Sequence, residues 1–250
     1  MHYALFRANN TCLPYQSTRY ATREIIEQFM ELLIVTLAYT NPDREADVLA
    51  RMRLISDMVR NAPGMMGSQF YRGQGNGAYY ILLTTWDSEE GWRRAKERYS
   101  PRFLLLNSAL DLLTAVPEQW LMQYLWGYSR PTAPLALAAV QIVEVPITQT
   151  AVTQKAWIEG LRRQAAEPTL ANAFLAYGGP EETTPSPSMP PAQSPEAAST
   201  HVQPTTIFLN ILNWANEYSR DFFYANNDYQ ALQRFISSVG TVQNMYLEPI

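Results

Sequence analysis

The stretch Tyr79-Tyr80-Ile81-Leu82-Leu83-Thr84-Thr85-Trp86-Asp87-Ser88-Glu89-Glu90 reads as a β-strand that ends on an indole and turns at once into a helix. The run from Tyr79 to Trp86 is rich in rings and β-branched residues and too short for a typical helix. Asp87 and Ser88 supply capping oxygens, and the glutamates behind them suit the positive end of a helix dipole. The same step recurs at Leu212-Asn213-Trp214, where Ala215-Asn216 replaces the Asp-Ser pair.

Around the first copy, Leu32 to Tyr39 is an apolar strand. Asn41-Pro42-Asp43 opens a helix, with a cap, a proline at the first position and an acid in the first turn. Val48, Met52, Ile55 and Val59 then recur at helical spacing, and Pro63-Gly64 stops the helix. A strand from Met65 to Tyr71 runs into the turn Arg72-Gly73-Gln74-Gly75-Asn76-Gly77. After the Trp86 step come a second apolar helical run, Phe103 to Leu113, and a closing strand, Gln119 to Trp126. The order β-α-β-β-α-β is the split βαβ, ferredoxin-like arrangement. Alternation along the last strand sets Trp120, Met122, Tyr124 and Trp126 on one ring-rich face.

The second copy repeats the order. A strand spans Leu135 to Val145, and a helix after Thr148 turns Val152, Ala156 and Leu161 inward. Strands follow at Leu170 to Tyr177 and Thr206 to Trp214, then a mostly helical segment from Tyr218 to Val239 and a strand from Val242 to Leu247. Met245-Tyr246-Leu247 answers Gln123-Tyr124-Leu125, so the halves read as a diverged repeat. The expected organisation is an extension at 1–31, a first unit at 32–131 and a second at 132–250. An insertion at 180–204 interrupts the second unit. It holds seven of the chain's 17 prolines, too polar a stretch to offset its ordering entropy, so a disordered loop is expected there.

A four-stranded sheet with both helices on one face leaves its other face bare, and two such sheets cover one another. The fold class expected is therefore α+β: two tandem ferredoxin-like units whose antiparallel sheets close into a pseudo-dimeric barrel within one chain. Hydrophobic residues make up 47% of the 250, enough for sizeable cores, and the net charge of −4 comes without a basic tract. Nucleic acid is thus not an expected partner. No apolar stretch approaches the ~20 residues of a membrane span, and Met1 to Arg7 lacks a signal-peptide pattern. The expectation is a soluble cytoplasmic protein. Cys12 is a lone thiol, and the two histidines, His2 and His201, lie off the barrel elements. No spacing of Cys, His or carboxylates suggests a metal, and Gly73-Gln74-Gly75 is a hairpin turn rather than a phosphate loop.

The sequence Trp86-Asp87-Ser88-Glu89-Glu90, the basic helix behind it and Tyr99-Ser100-Pro101-Arg102-Phe103 resemble the antibiotic biosynthesis monooxygenase (ABM) family of bacteria. The resemblance covers roughly residues 30 to 130. The second half keeps Trp214 but lacks the Asp-Ser pair and the Ser-Pro step, so it reads as the degraded unit. The resemblance implies a dimeric α+β barrel and, for some members, oxygenation of polycyclic phenols without a cofactor. A substrate carbanion reduces O₂ directly, and the protein supplies a dry pocket with donors for the anion. Haem-degrading relatives use a histidine, for which neither His2 nor His201 is placed.

Carried onto this chain, the candidate catalytic residues are Trp86, Tyr99 and Arg102 in the first unit, with Tyr80 on the Trp86 face. In the second they are Asn210 and Trp214, with Tyr218 beside them. No cofactor or metal is implied, and the partner is a small apolar or aromatic substrate, with a further homo-oligomer compatible. Each indole serves equally well as a staple between strand and helix. Asn210 is the most telling, because an amide inside a strand must find partners once buried. The alternatives are a non-catalytic ligand- or partner-binding barrel and a barrel enzyme of another type, an isomerase or cyclase.

Overall fold

Leu32–Tyr39 forms β1, and its unbroken apolar run has a simple cause: both of its faces are covered. Leu33, Val35 and Leu37 enter one core, while Leu32, Ile34 and Ala38 enter another. The computed structural model describes residues 32–74, 79–130, 136–166, 169–180 and 204–250. The extension at 1–31, positions 181–203, Cys12, His2 and His201 lie outside the described residues.

Asn41 accepts a hydrogen bond from the Asp43 amide at 3.0 Å, as a cap should, but it caps a 3₁₀ turn, Pro42–Arg44, that leads into α1 (Glu45–Arg60). Gly64, at φ 84°, then turns the chain into β2 (Met65–Gly73), a conformation that penalises any side chain. After β3 (Tyr79–Trp86), Ser88 Oγ accepts from the Gly91 amide at 3.0 Å and starts α2 (Glu89–Tyr99). Ser100 opens α3 (Pro101–Ser108), which is shorter than its apolar run suggested and gives way to a 3₁₀ turn at Leu110–Leu112. β4 (Glu118–Ser129) closes the unit.

The second unit comprises β5 (Leu137–Pro146), α4 (Thr150–Ala165), β6 (Leu170–Pro180), β7 (Thr205–Trp214), α5 (Glu217–Ala225), α6 (Asn227–Val239) and β8 (Thr241–Pro249). The helical stretch expected from Tyr218 to Val239 is broken at Asn226. Its side chain accepts from the Asp228 and Tyr229 amides and so starts a new helix.

The strands close in the order β1-β3-β2-β8-β5-β7-β6-β4. Each unit thus keeps the ferredoxin-like sheet order, β4-β1-β3-β2 and β8-β5-β7-β6, and all neighbours are antiparallel. The units do more than cover each other's bare faces, because their edges also pair. β4 runs along β6 from Trp120↔Pro180 to Ser129↔Asn172, and β8 meets β2 from Tyr71↔Pro249 to Gly73↔Leu247. Closure removes the sheet edges that would otherwise invite foreign strands. At the longer seam, Gly178 passes so near β4 that a Cβ there would lie 1.9 Å from the Leu121 carbonyl oxygen.

Three cores result. One fills the barrel, with Leu33, Val35, Trp120, Val140, Leu209 and Ile211 among its members. The others lie between each sheet and its own helices.

Three expectations need correction. The inward stripe of α4 is Thr153, Trp157, Gly160, Leu161 and Gln164; Val152 is exposed and Ala156 only partly covered. The large Trp157 ring sets the helix phase. The ring-rich face of β4 does not persist either. A bulge between Tyr124 and Trp126 resets the alternation, so Trp120 and Met122 point into the barrel while Trp126 and Tyr128 pack on the second unit's helix-side core. Finally, Met245-Tyr246-Leu247 is not the counterpart of Gln123-Tyr124-Leu125. Thr36 pairs with Gln119 and Gln141 with Asn244, which sets Tyr246 opposite Leu121 in the comparison.

Candidate functional site

Register makes the two sheet–helix layers comparable residue by residue. Thr36 of β1 lies between Leu82 of β3 and Gln119 of β4. In the second sheet Gln141 of β5 lies between Asn210 of β7 and Asn244 of β8. Alternate residues share a face, so Asn210 points with Phe208, Leu212 and Trp214 toward the helices. On the covering helices, Val48, Met52, Ile55 and Val59 of α1 have the same spacing as Thr153, Trp157, Gly160 and Gln164 of α4. The first layer is therefore apolar where the second carries Thr153, Trp157, Gln164 and Asn210.

Partnering differs as sharply as composition. In the first layer the Trp86 indole donates to Thr84 Oγ1 at 3.0 Å. The Gln119 side-chain oxygen there accepts from Thr36 Oγ1 at 3.1 Å, Ser100 Oγ at 3.2 Å and the Arg102 amide at 3.1 Å. In the second layer the buried atoms Thr153 Oγ1, Trp157 Nε1, Gln164 Oε1, Trp214 Nε1 and both side-chain polar atoms of Asn210 have no hydrogen-bond partner among the described residues. Asn210, Trp157 and Trp214 are fully buried, at 0% exposure. Outside this layer only Ser56 Oγ and Thr169 Oγ1 are in that position among the described residues. Each such group ordinarily costs ~1–3 kcal/mol, so their concentration in one layer calls for a reason. No Asp, Glu, Lys or Arg is buried among the described residues, and the layer is neutral.

No family model matches the chain, and no curated protein does. Solved structures do. An anthrone oxidase-like protein superposes with a TM-score of 0.65 at 11% identity, over 89% of this chain and 92% of that one. A protein named as a monooxygenase from Fusobacterium nucleatum subsp. nucleatum gives 0.61 at 6% identity, over 89% and 93%. Another so named, from Lactobacillus acidophilus, gives 0.56 at 11% identity, over 88% and 94%. The chain has an ABM-like fold.

Within this ABM-like barrel the residues singled out from the sequence fall into two groups. Trp86 is buried, hydrogen-bonded and packed edge-on against Trp92, with ring centroids 5.0 Å apart. Tyr80 stacks on Phe70 at 5.6 Å, and Tyr99 packs against the same core. Arg102 enters the polar cluster through its backbone amide alone. Tyr218 is 76% exposed on the outer side of α5 and joins no site. Asn210 and Trp214 stay together in the second layer, where Trp214 is wedged against Phe223 and Tyr224 at 5.5 and 5.4 Å.

The unit that reads as degraded in sequence is the one that carries the unpartnered polar groups. Sequence reasoning missed Thr153, Trp157, Gln141 and Gln164. The sequence signal was present in α4: choosing the stripe with Trp157 rather than Val152 would have shown its polar members. A hollow of about 380 Å³ opens beside this layer, between the α5–α6 corner and β8, with Tyr224, Tyr229, Gln233, Asn244 and Tyr246 among its lining residues. Gln141 stands between the hollow and Asn210. Its Nε2 donates to Asn244 Oδ1 at 2.9 Å and to Gln233 Oε1 at 2.5 Å, and its Oε1 accepts from Gln233 at 3.2 Å. Among the described residues no group of three or more His, Cys, Asp or Glu could hold a metal, and no helix is long and apolar enough to cross a membrane.

Proposed function

We propose that the second sheet–helix layer is the site of a cofactor-independent monooxygenase acting on an aromatic small molecule that bears a phenol or a similar acidic group. The supporting observation is the set of buried, neutral, unpartnered groups around Asn210 and Trp214, in a barrel whose structural neighbours include an anthrone oxidase-like protein. Preorganised N–H groups in a dry layer stabilise a developing oxyanion without charge of their own. In this reading the Trp214 and Trp157 indoles, toward opposite ends of the β7 face, donate to separate substrate oxygens, and the Asn210 amide between them both donates and accepts, fixing which edge of the ring enters.

The chemistry runs on the substrate's own electrons. A ring CH₂ between two arenes, made acidic by the carbonyl opposite it, loses a proton to solvent, and the anion, its charge carried onto the carbonyl oxygen, passes one electron to O₂. The two radicals join as a peroxide anion, which takes back a proton from solvent to give a hydroperoxide. Breaking the O–O bond with loss of water leaves a new carbonyl, so one oxygen atom enters the product and the other departs as water. The first layer, filled with Leu82 and a satisfied Trp86, acts as the structural half of the barrel.

The test is oxygen uptake with anthrone in buffer free of metal and flavin. The expected result is one O₂ consumed per anthrone, a loss of at least about 100-fold in Asn210→Leu and Trp214→Phe, and little change in Trp86→Phe. Equal losses in Trp86→Phe and Trp214→Phe would overturn the assignment to the second layer. Turnover without oxygen consumption would make the site an isomerase or cyclase.

A further inference from the structure

We infer that the hollow between the α5–α6 corner and β8 is a separate binding site for a planar aromatic anion, with Arg234 pairing to the anionic group and the tyrosines holding the ring. This site does not depend on the oxygen chemistry proposed above.

Four observations carry it. Arg234 lines the hollow and has no ion-pair or hydrogen-bond partner among the described residues, whereas Arg220, the other arginine beside these rings, faces Asp221. A free guanidinium beside rings recognises carboxylate or phenolate through paired N–H groups. The rings are already arranged: Tyr224 and Tyr229 lie 5.5 Å apart, and Arg220 sits 5.7 Å over the Tyr246 ring. The Tyr224 and Tyr229 hydroxyls make no hydrogen bond among the described residues. Burial pushes both phenols well above their ordinary value, so both remain donors at any physiological pH. The amide floor is held in place too, since Gln233 and Asn244 are both tied to Gln141.

The first unit shows what a closed version looks like. Gln119 occupies the register position of Asn244, and there the Ser100 hydroxyl and the Arg102 amide close over its oxygen. In the second unit the same position faces the hollow. A volume of about 380 Å³ accommodates a two- or three-ring ligand.

Calorimetric titration with naphthoate and with its uncharged amide tests the site under anaerobic conditions, on the wild type, Arg234→Gln and Asn210→Leu. The expected result is that the wild type binds naphthoate about tenfold or more tightly than the amide. Arg234→Gln, an exposed substitution whose fold is checked by circular dichroism, abolishes that preference. Asn210→Leu leaves it intact even where oxygen uptake is lost, which separates this site from the layer behind it. No binding, a preference that survives Arg234→Gln, or binding lost in Asn210→Leu would each overturn the inference, the last by placing the ligand inside the sheet–helix layer.

Discussion

The Trp86 indole donates to Thr84 Oγ1, 3.0 Å away and two residues back on β3. On β7 the residue two back from Trp214 is Leu212, and the Trp214 N–H has no partner among the described residues. One side chain thus separates a satisfied indole from a free one in otherwise matching strand ends. Thr84→Val keeps the shape and removes the acceptor, so urea unfolding should show a loss of ~1–3 kcal/mol. Leu212→Thr offers Trp214 the acceptor that Trp86 has. Oxygen uptake should then fall about tenfold as the indole is diverted from substrate, an effect of ~1.4 kcal/mol on the barrier. Unchanged stability in the first variant and unchanged uptake in the second would remove the contrast.

Asn210 sits fully buried where the first unit has Leu82. If its amide is kept for a ligand, the free protein is less stable for it. Asn210→Leu should raise stability by ~1–3 kcal/mol while abolishing activity, the trade expected of a functional polar group in a core. Chemical denaturation alongside oxygen uptake reads both quantities. A destabilised variant with wild-type uptake would make Asn210 a structural residue.

The two strand-Trp-cap-helix steps were legible because their causes are local: a β-branched run, an indole, and the Ser88 or Asn216 oxygen that starts the next helix. The β-α-β-β-α-β order and the closed α+β barrel followed from them. The phase of α4 was open to misreading, because Val152 with Ala156 and Thr153 with Trp157 form rival stripes one residue apart; the large Trp157 ring, which packs on Phe208 at 5.6 Å, is what favours the second. The β4 bulge comes from pairing with β6, far off in sequence. The polar layer was half visible. Asn210 and Trp214 stood out on one strand, but Gln141 joins them only through a register that pairs it with Asn210 and Asn244.

Gln119 is the polar knot of the first unit. Its oxygen takes bonds from β1, from the α3 cap and from the first turn of α3. Gln119→Leu leaves Thr36 Oγ1, Ser100 Oγ and the Arg102 amide without that acceptor in a buried place. Thermal and urea unfolding should show a loss of ~2–4 kcal/mol, at the severe end for one substitution. Oxygen uptake measured well below the melting point should stay near wild type, because the second layer is untouched. A large loss of uptake in folded Gln119→Leu would mean that the units act together.

Glu118 begins β4, and Glu144 lies near the end of β5, where its carboxylate accepts from Thr205 Oγ1 at 2.7 Å. Burial raises the Glu118 pKa above the ordinary value of 4.5, and the charge on Glu144 raises it further. The folded state therefore binds this proton more tightly than the unfolded chain does. Below the ordinary value both states are protonated and the carboxyl costs nothing. As pH rises through 4.5 and past the folded value, the fold must hold a charge that the unfolded chain solvates freely, and stability declines. Glu118→Gln removes that penalty, so the variant should melt above wild type at neutral pH, with the gap closing as the pH is lowered below 4.5. Glu118 keeps much of its surface in water, so the gain should stay within ~1 kcal/mol. Melting curves of both proteins across that range decide the matter: a constant gap, or one that widens toward acid, would show that burial and the repulsion from Glu144 do not act on Glu118 as argued.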